Sequence, residues 1–255
     1  MQHCETMNPK VILFTLLIQQ AFGAYKIFHG DAISDWSKND FKFVVFLTGG
    51  QSCTGSWVHT DKVITAAHCF LGDKACSEVH FERTTSAKPP TEKVAIIRHV
   101  EPSDYDSATK AKATSIGREF DISVVTLKSA PSCKDITQLA IEYKAIKTYG
   151  SEMTILGYGL DGGKPAGDLR KGIAYLHPCI DNARRVICLQ PNSKFKDQKT
   201  EHGDSGGPLL HKKGGNWLSY GVLSGIEDSA KLGKRTCEMV YAAFEYNKDF
   251  IKKNI

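Results

Sequence analysis

EHGDSGGPLL, residues 201–210, sets Ser205 among glycines, with Asp204 before it and an apolar run after Pro208. Two readings are open. The stretch is a glycine-rich turn entering a strand, or it is a nucleophile displayed on such a turn. Glycine reaches backbone angles closed to other residues, so the turn by itself is common. A serine hydroxyl is a poor nucleophile at neutral pH and needs a base within hydrogen-bond reach. The decision therefore rests on whether the rest of the chain supplies a base and a group to orient it.

Two other segments carry such groups, in the order His, Asp, Ser. His68 lies in VITAAHCF, residues 63–70, at the end of an apolar run. Asp121 lies in EFDISVVTL, residues 119–127, at the mouth of a strand-like stretch. An imidazole is suited to take the serine proton, and a buried carboxylate holds its tautomer and stabilises the imidazolium. Glycine ahead of the serine lets the amides of Gly203 and Ser205 aim at one spot, as an oxyanion hole requires.

The 255 residues are 24% charged and 41% apolar with a formal net charge of +5, a soluble globular composition. Such a length buries a sizeable core, as one large domain or two of about a hundred residues. Cations are scattered, and Lys212-Lys213 reads as solvated loop, so nucleic acid is not an expected partner. No Cys-x-x-Cys pair and no His-x-x-x-His spacing occurs, so neither a metal nor another cofactor is expected. FKFVVFLTGG, SWVHTDKVITAAHC, DISVVTL, MTILGYG and WLSYGVLSG are short β-rich runs between Gly-, Pro-, Ser- and Lys-rich linkers. Many short strands at close spacing predict an all-β barrel or sandwich. Only the end has helical spacing, with Phe244, Asn247, Lys248 and Ile251 on one face.

Lys10, the apolar run Val11 to Ile18 and the small residues Ala21, Gly23 and Ala24 describe a secretory signal peptide over residues 1–23. Cleavage after Ala24 fits nearly as well. No second apolar stretch of membrane length follows, so the expected product is secreted, extracellular and free of the membrane. Cys4 leaves with the leader, and seven cysteines enter an oxidising compartment. That odd number leaves a free thiol or an intermolecular bond.

TAAHC, DISVV and GDSGGPL resemble the three signatures of the trypsin- and chymotrypsin-like serine proteases. CTGSWV at residues 53–58, GYG at 157–159, YGVLS at 220–224 and the closing VYAAFEYNKDFI extend the resemblance over almost the whole mature chain. It implies two six-stranded antiparallel β-barrels packed face to face, with a short C-terminal helix. The protease domain would span 27–255, with its barrels at about 27–135 and 136–255 and a propeptide at 24–26. Carried over residue by residue, His68 is general base and acid, Asp121 orients it, and Ser205 attacks the scissile carbonyl. Gly203 and Ser205 then donate to the oxyanion.

The resemblance further implies a cut after Lys26 that frees Ile27, whose ammonium pairs with Asp204 and orders the oxyanion turn. Phe28 and His29 depart from the family there. It also implies bridges Cys53–Cys69 and Cys179–Cys188. Glu201 stands where the family has a cysteine, which removes the usual partner of Cys237 and makes Cys76–Cys133 a candidate extra bridge. Lys199 occupies the base of the specificity pocket, where aspartate would select basic side chains. Lys199 there repels Arg and Lys and attracts Asp or Glu; the other reading bends it to solvent. His202 is placed to touch substrate, Ser224 to bond the catalytic aspartate, and Gly225 replaces a tryptophan beside the substrate. The expected partners are a protein or peptide substrate and a protein protease inhibitor, with the enzyme a monomer. The rival expectation is a protease-fold binding or decoy protein.

Overall fold

The computed structural model describes residues 27, 30–105, 115–160, 166–179, 185–191, 198–228 and 237–255. The expected leader at 1–23 and propeptide at 24–26, Lys26 included, lie outside the described residues. A short strand β1 (Asp31–Ala32) opens the chain. The first barrel follows: β2 (Val44–Gly49), β3 (Cys53–His59), β4 (Lys62–Thr65), β5 (Cys76–Phe81), β6 (Glu92–Val100) and β7 (Ser123–Leu127). These six close in the order β2-β3-β4-β7-β6-β5.

The second barrel takes β9 (Glu152–Gly157), β10 (Arg170–His177), β11 (Val186–Pro191), β12 (Pro208–Lys213), β13 (Asn216–Asp228) and β14 (Cys237–Ala243). The ring β9-β10-β11-β14-β13-β12 closes through the antiparallel pairing of β12 with β9. β1 pairs with β10, and β8 (Ala140–Ile141) runs parallel to β13. The two six-stranded antiparallel barrels are those implied by the sequence.

Alternation along the strands explains the packing. In β2, Val45 and Leu47 join Val63, Val79, Phe81 and Val125 inside the first barrel. Their neighbours Val44 and Phe46 leave the other face and meet Leu156, Tyr158, Leu210 and Val222 of the second barrel. A strand buried on both faces reads as the unbroken apolar run VVFL. The interior of the second barrel holds Met153, Ile155, Leu189, Leu209, Leu223 and Tyr241, together with Ile27. Full burial of such side chains contributes about 1.5–3 kcal/mol each, so the shared cluster fixes one barrel against the other.

The terminal helix α1 spans Lys248–Asn254, later than the helical spacing from Phe244 predicts. Asn247 is spent elsewhere: its Nδ2 donates to the carbonyls of Glu119 at 2.8 Å and Ala243 at 2.9 Å.

Cys53 is bonded to Cys69 and Cys179 to Cys188. Cys76 and Cys133 are both free, so the candidate bridge between them is not formed. Cys76 opens β5, whereas the Cys133 amide donates to Glu92 Oε2 at 2.8 Å, and Glu92 pairs with Phe81 at the far end of β5. Five residues of strand separate the two ends by about 16 Å. A disulfide needs Cα atoms within about 7 Å. Burial pushes each thiol up to about 12, with the charge of Glu82 adding to the effect at Cys133. The side chain of Cys237 lies outside the described residues.

Candidate active site

His68 sits on a 3-10 turn, Ala67–Phe70, that follows β4, and the Cys53–Cys69 bond ties that turn to β3. Asp121 enters β7 and is fully buried. Its carboxylate is held from three directions. Oδ1 accepts the backbone N–H of His68 at 2.9 Å, Oδ2 lies 2.9 Å from His68 Nδ1, and the Ser224 hydroxyl donates to Oδ2 at 2.5 Å. A carboxylate against Nδ1 places the proton on that nitrogen and leaves Nε2 as the basic one. The His68 side chain keeps 21% of its surface exposed.

The turn bearing Ser205 is fastened to the first barrel by Thr54 of β3. The Thr54 amide donates to the Ser205 carbonyl at 2.8 Å, and its hydroxyl donates to the Gly203 carbonyl at 2.9 Å. The same hydroxyl accepts the Tyr158 amide at 3.0 Å. Gly206, at φ +80°, lies so close to Thr65 and Thr54 that a Cβ there would collide with both. Only glycine lets the serine turn lie flat on the segment leading to His68. Gly203 has φ +97°, and neither its amide nor that of Ser205 donates to an acceptor among the described residues.

Asp204 is fully buried beneath this turn. Its Oδ1 accepts from Gly159 N–H and its Oδ2 from Glu201 N–H, both at 2.8 Å. Burial nevertheless pushes its carboxyl up to about 7, against the pull of those amides. Ile27 is 1% exposed and packs into the second barrel.

Gln198 and Thr200 turn inward, with the Gln198 side-chain Oε1 accepting Ile173 N–H at 2.7 Å. Lys199 between them is half-buried beside Glu201, whose carboxyl rises through burial while the Lys199 and His202 charges pull it down. His202 is exposed.

β13 pairs with β12 only as far as Val222 and continues beside β14 alone, so one edge of residues 224–228 is unpaired by strand among the described residues. Arg118 lies across that edge. Its Nη2 donates to the Ile226 carbonyl at 3.2 Å, and its guanidinium fills the space a side chain at Gly225 would need. Sequence reasoning finds neither Arg118 nor Thr54. The vacancy beside Gly225 was a signal that something must fill it, but nothing in the sequence links positions so far apart.

Cys53, His68 and Cys69 bring ligand-type atoms within 4.8 Å of one another, but the two sulfurs are bonded to each other and are not thiolates. The group does not suit a metal.

Two closed antiparallel barrels of this connectivity, with the imidazole–carboxylate pair on one and the glycine-cradled serine on the other, define the chymotrypsin fold. The chain belongs to the trypsin-like serine protease family: the Trypsin family model matches residues 33–251. It is 30% identical to a cercarial protease of Schistosoma mansoni over 85% of this chain and 86% of that one. It is likewise 30% identical to a trypsin of Saccharopolyspora erythraea, over 78% of this chain and 88% of the relative. A solved mutant of human heparin binding protein superposes with a TM-score of 0.70 at 19% identity, covering 88% of this chain and 94% of that chain, a likeness of fold alone.

Proposed function

We propose that the protein is a secreted serine endopeptidase, made as a zymogen and activated by a cut after Lys26. One observation carries the reading. The imidazole of His68, tethered through Nδ1 to a buried carboxylate, stands on the turn just after the Thr65–Ala66 segment on which the serine turn packs, and the Gly203 and Ser205 amides have no acceptor among the described residues.

In the reaction, an extended peptide adds to the strand-free edge of β13 at residues 224–228 as a strand adds to a sheet, displacing Arg118 from the Ile226 carbonyl. Its scissile carbonyl oxygen sits about 2.7–3.1 Å from the two amides in the tetrahedral state. Ser205 Oγ attacks the carbonyl carbon while His68 Nε2 takes its proton. Asp121 stabilises the imidazolium, and Ser224 keeps Asp121 aligned. The oxyanion collapses, the C–N bond breaks, and His68 protonates the leaving amine. Water then repeats the sequence on the acyl-enzyme and frees Ser205.

Lys199 sets the preference away from basic side chains. The catalytic unit is a monomer, and its macromolecular partners are protein substrates and protein inhibitors. A cut after Lys26 frees the Ile27 ammonium to pair with Asp204, and that buried pair orders the turn.

The test is labelling with a fluorophosphonate probe after cleavage at Lys26, beside a Ser205→Ala control. Label on the cut chain that disappears in the control supports the enzyme. Folded, cut protein that takes no label leaves a binding or decoy protein as the better account.

A further inference from the structure

Asp204 is fully buried in a chain whose Ile27 still carries its peptide bond to Lys26. A buried carboxylate takes a proton unless a cation is near. The pairing of β9 with β10 brings one. Arg170 stands directly opposite Gly157 in that antiparallel register. Directly opposed residues project from the same face, with Cβ atoms about 4.5–5.5 Å apart. On this face, a Cβ at Gly157 would run into the carboxylate of Asp204. Arg170 and Asp204 therefore rise side by side.

Two residues along β10 on the same face, Gly172 packs against Ile27, whose Cγ2 lies 2.6 Å from where a Cβ would stand. Arg170 also reaches the amino-terminal segment, donating Nη1 to the Gly30 carbonyl at 2.6 Å. Its Nε is buried with no acceptor among the described residues. One side chain thus bonds the strap that carries Ile27 and sets its charge beside, without bonding, the carboxylate that Ile27 would serve after a cut.

We propose that Arg170 is a positioning residue: it supplies the positive charge that holds Asp204, and through it the Gly203–Ser205 turn, before any cut frees Ile27. The uncut chain then hydrolyses peptides at a reduced rate, and the cut adds a second cation to one already present. This rests on the endopeptidase reading above. The charged and titratable groups around Asp204 are Arg170, Glu201 and Tyr241, and those that share Arg170 are Asp31 and Asp168.

The test uses the full chain with Lys26→Gln, which cannot be cut there, beside the cut wild type. Fluorophosphonate labelling rates and kcat/KM are measured for each, alone and with Arg170→Gln or Arg170→Lys, and thermal unfolding checks that every variant folds. The uncut Lys26→Gln chain is expected to label at Ser205. Arg170→Gln lowers the ratio of uncut to cut rates by about tenfold, the equivalent of about 1.4 kcal/mol in the barrier, and Arg170→Lys restores most of it. That ratio, in which any pH dependence common to both forms cancels, rises with pH as Asp204 ionises, and its midpoint moves upward in Arg170→Gln. The inference is overturned if the uncut chain takes no label while the cut chain does, or if Arg170→Gln slows both forms equally. Absence of label on cut wild type overturns the endopeptidase reading itself, and the inference with it.

Discussion

Replacing Thr54 by valine keeps the shape of the side chain and removes one hydroxyl that serves both barrels. That hydroxyl donates to the Gly203 carbonyl at 2.9 Å and accepts the Tyr158 amide at 3.0 Å, all in a fully buried setting. The valine leaves two buried backbone groups without their partner, and each such loss destabilises by about 1–3 kcal/mol. Relaxation of the turn recovers part of this, so the expected loss is about 2–4 kcal/mol. For a protein of this size that lowers the melting temperature by about 5–12 °C. The peptide plane released at Gly203 neighbours the proposed oxyanion amides, so kcat should fall by about tenfold, at nearly constant KM. Thr54→Ser retains the hydroxyl and is the control. Calorimetry and steady-state kinetics on the cut enzyme provide both numbers. If Thr54→Val melts with Thr54→Ser and turns over equally fast, the fastening of the serine turn through Thr54 is refuted.

Ser224→Ala removes a hydrogen bond to a buried carboxylate, an interaction of about 1.5–3 kcal/mol, so kcat/KM should drop by about 10- to 100-fold. An unchanged rate would show that Asp121 needs no support from that side. Asp204, whose carboxyl stands at about 7 when folded, binds its proton more tightly in the folded uncut chain than in the unfolded one. Its contribution to stability is therefore full below about pH 4 and is lost as pH rises through about 7. The melting temperature of the uncut wild type should fall relative to Asp204→Asn across that window, and parallel pH curves would argue against it. Arg118→Ala uncovers the Ile226 carbonyl, so KM for an extended peptide should fall several-fold while a short ester substrate is unaffected. Equal KM in both variants would remove Arg118 from the path of the substrate.

The all-β class was legible because its signals are local, whereas the double barrel followed only from the resemblance. VVFLTG and SVVTL are β-branched runs of strand length, and the turn at His59 to Lys62 separates two such runs, as β3 and β4 show. Other strands carry a weaker pattern. In EKVAIIRHV of β6, Val94 is buried while Ile97, three positions on and so on the opposite face, is 63% exposed, an apolar residue where the pattern calls for a polar one. The odd cysteine count called for a free thiol or an intermolecular bond, but no spacing rule could place Cys76 at one end of β5 and Cys133 beside the other.

The sequence by itself determined the residue types that chemistry requires and the short segments that present them: an imidazole after an apolar strand, an aspartate at a strand mouth, a serine among glycines. Each depends on neighbours within a few positions, where propensity and turn chemistry act. Only the tertiary structure decided which groups meet. Closure of two barrels brought Thr54 to Gly203, Arg118 to Gly225 and Arg170 to Asp204, all across different elements of the chain. Register and packing between strands set those encounters, and they are properties of the closed sheets and not of any one segment.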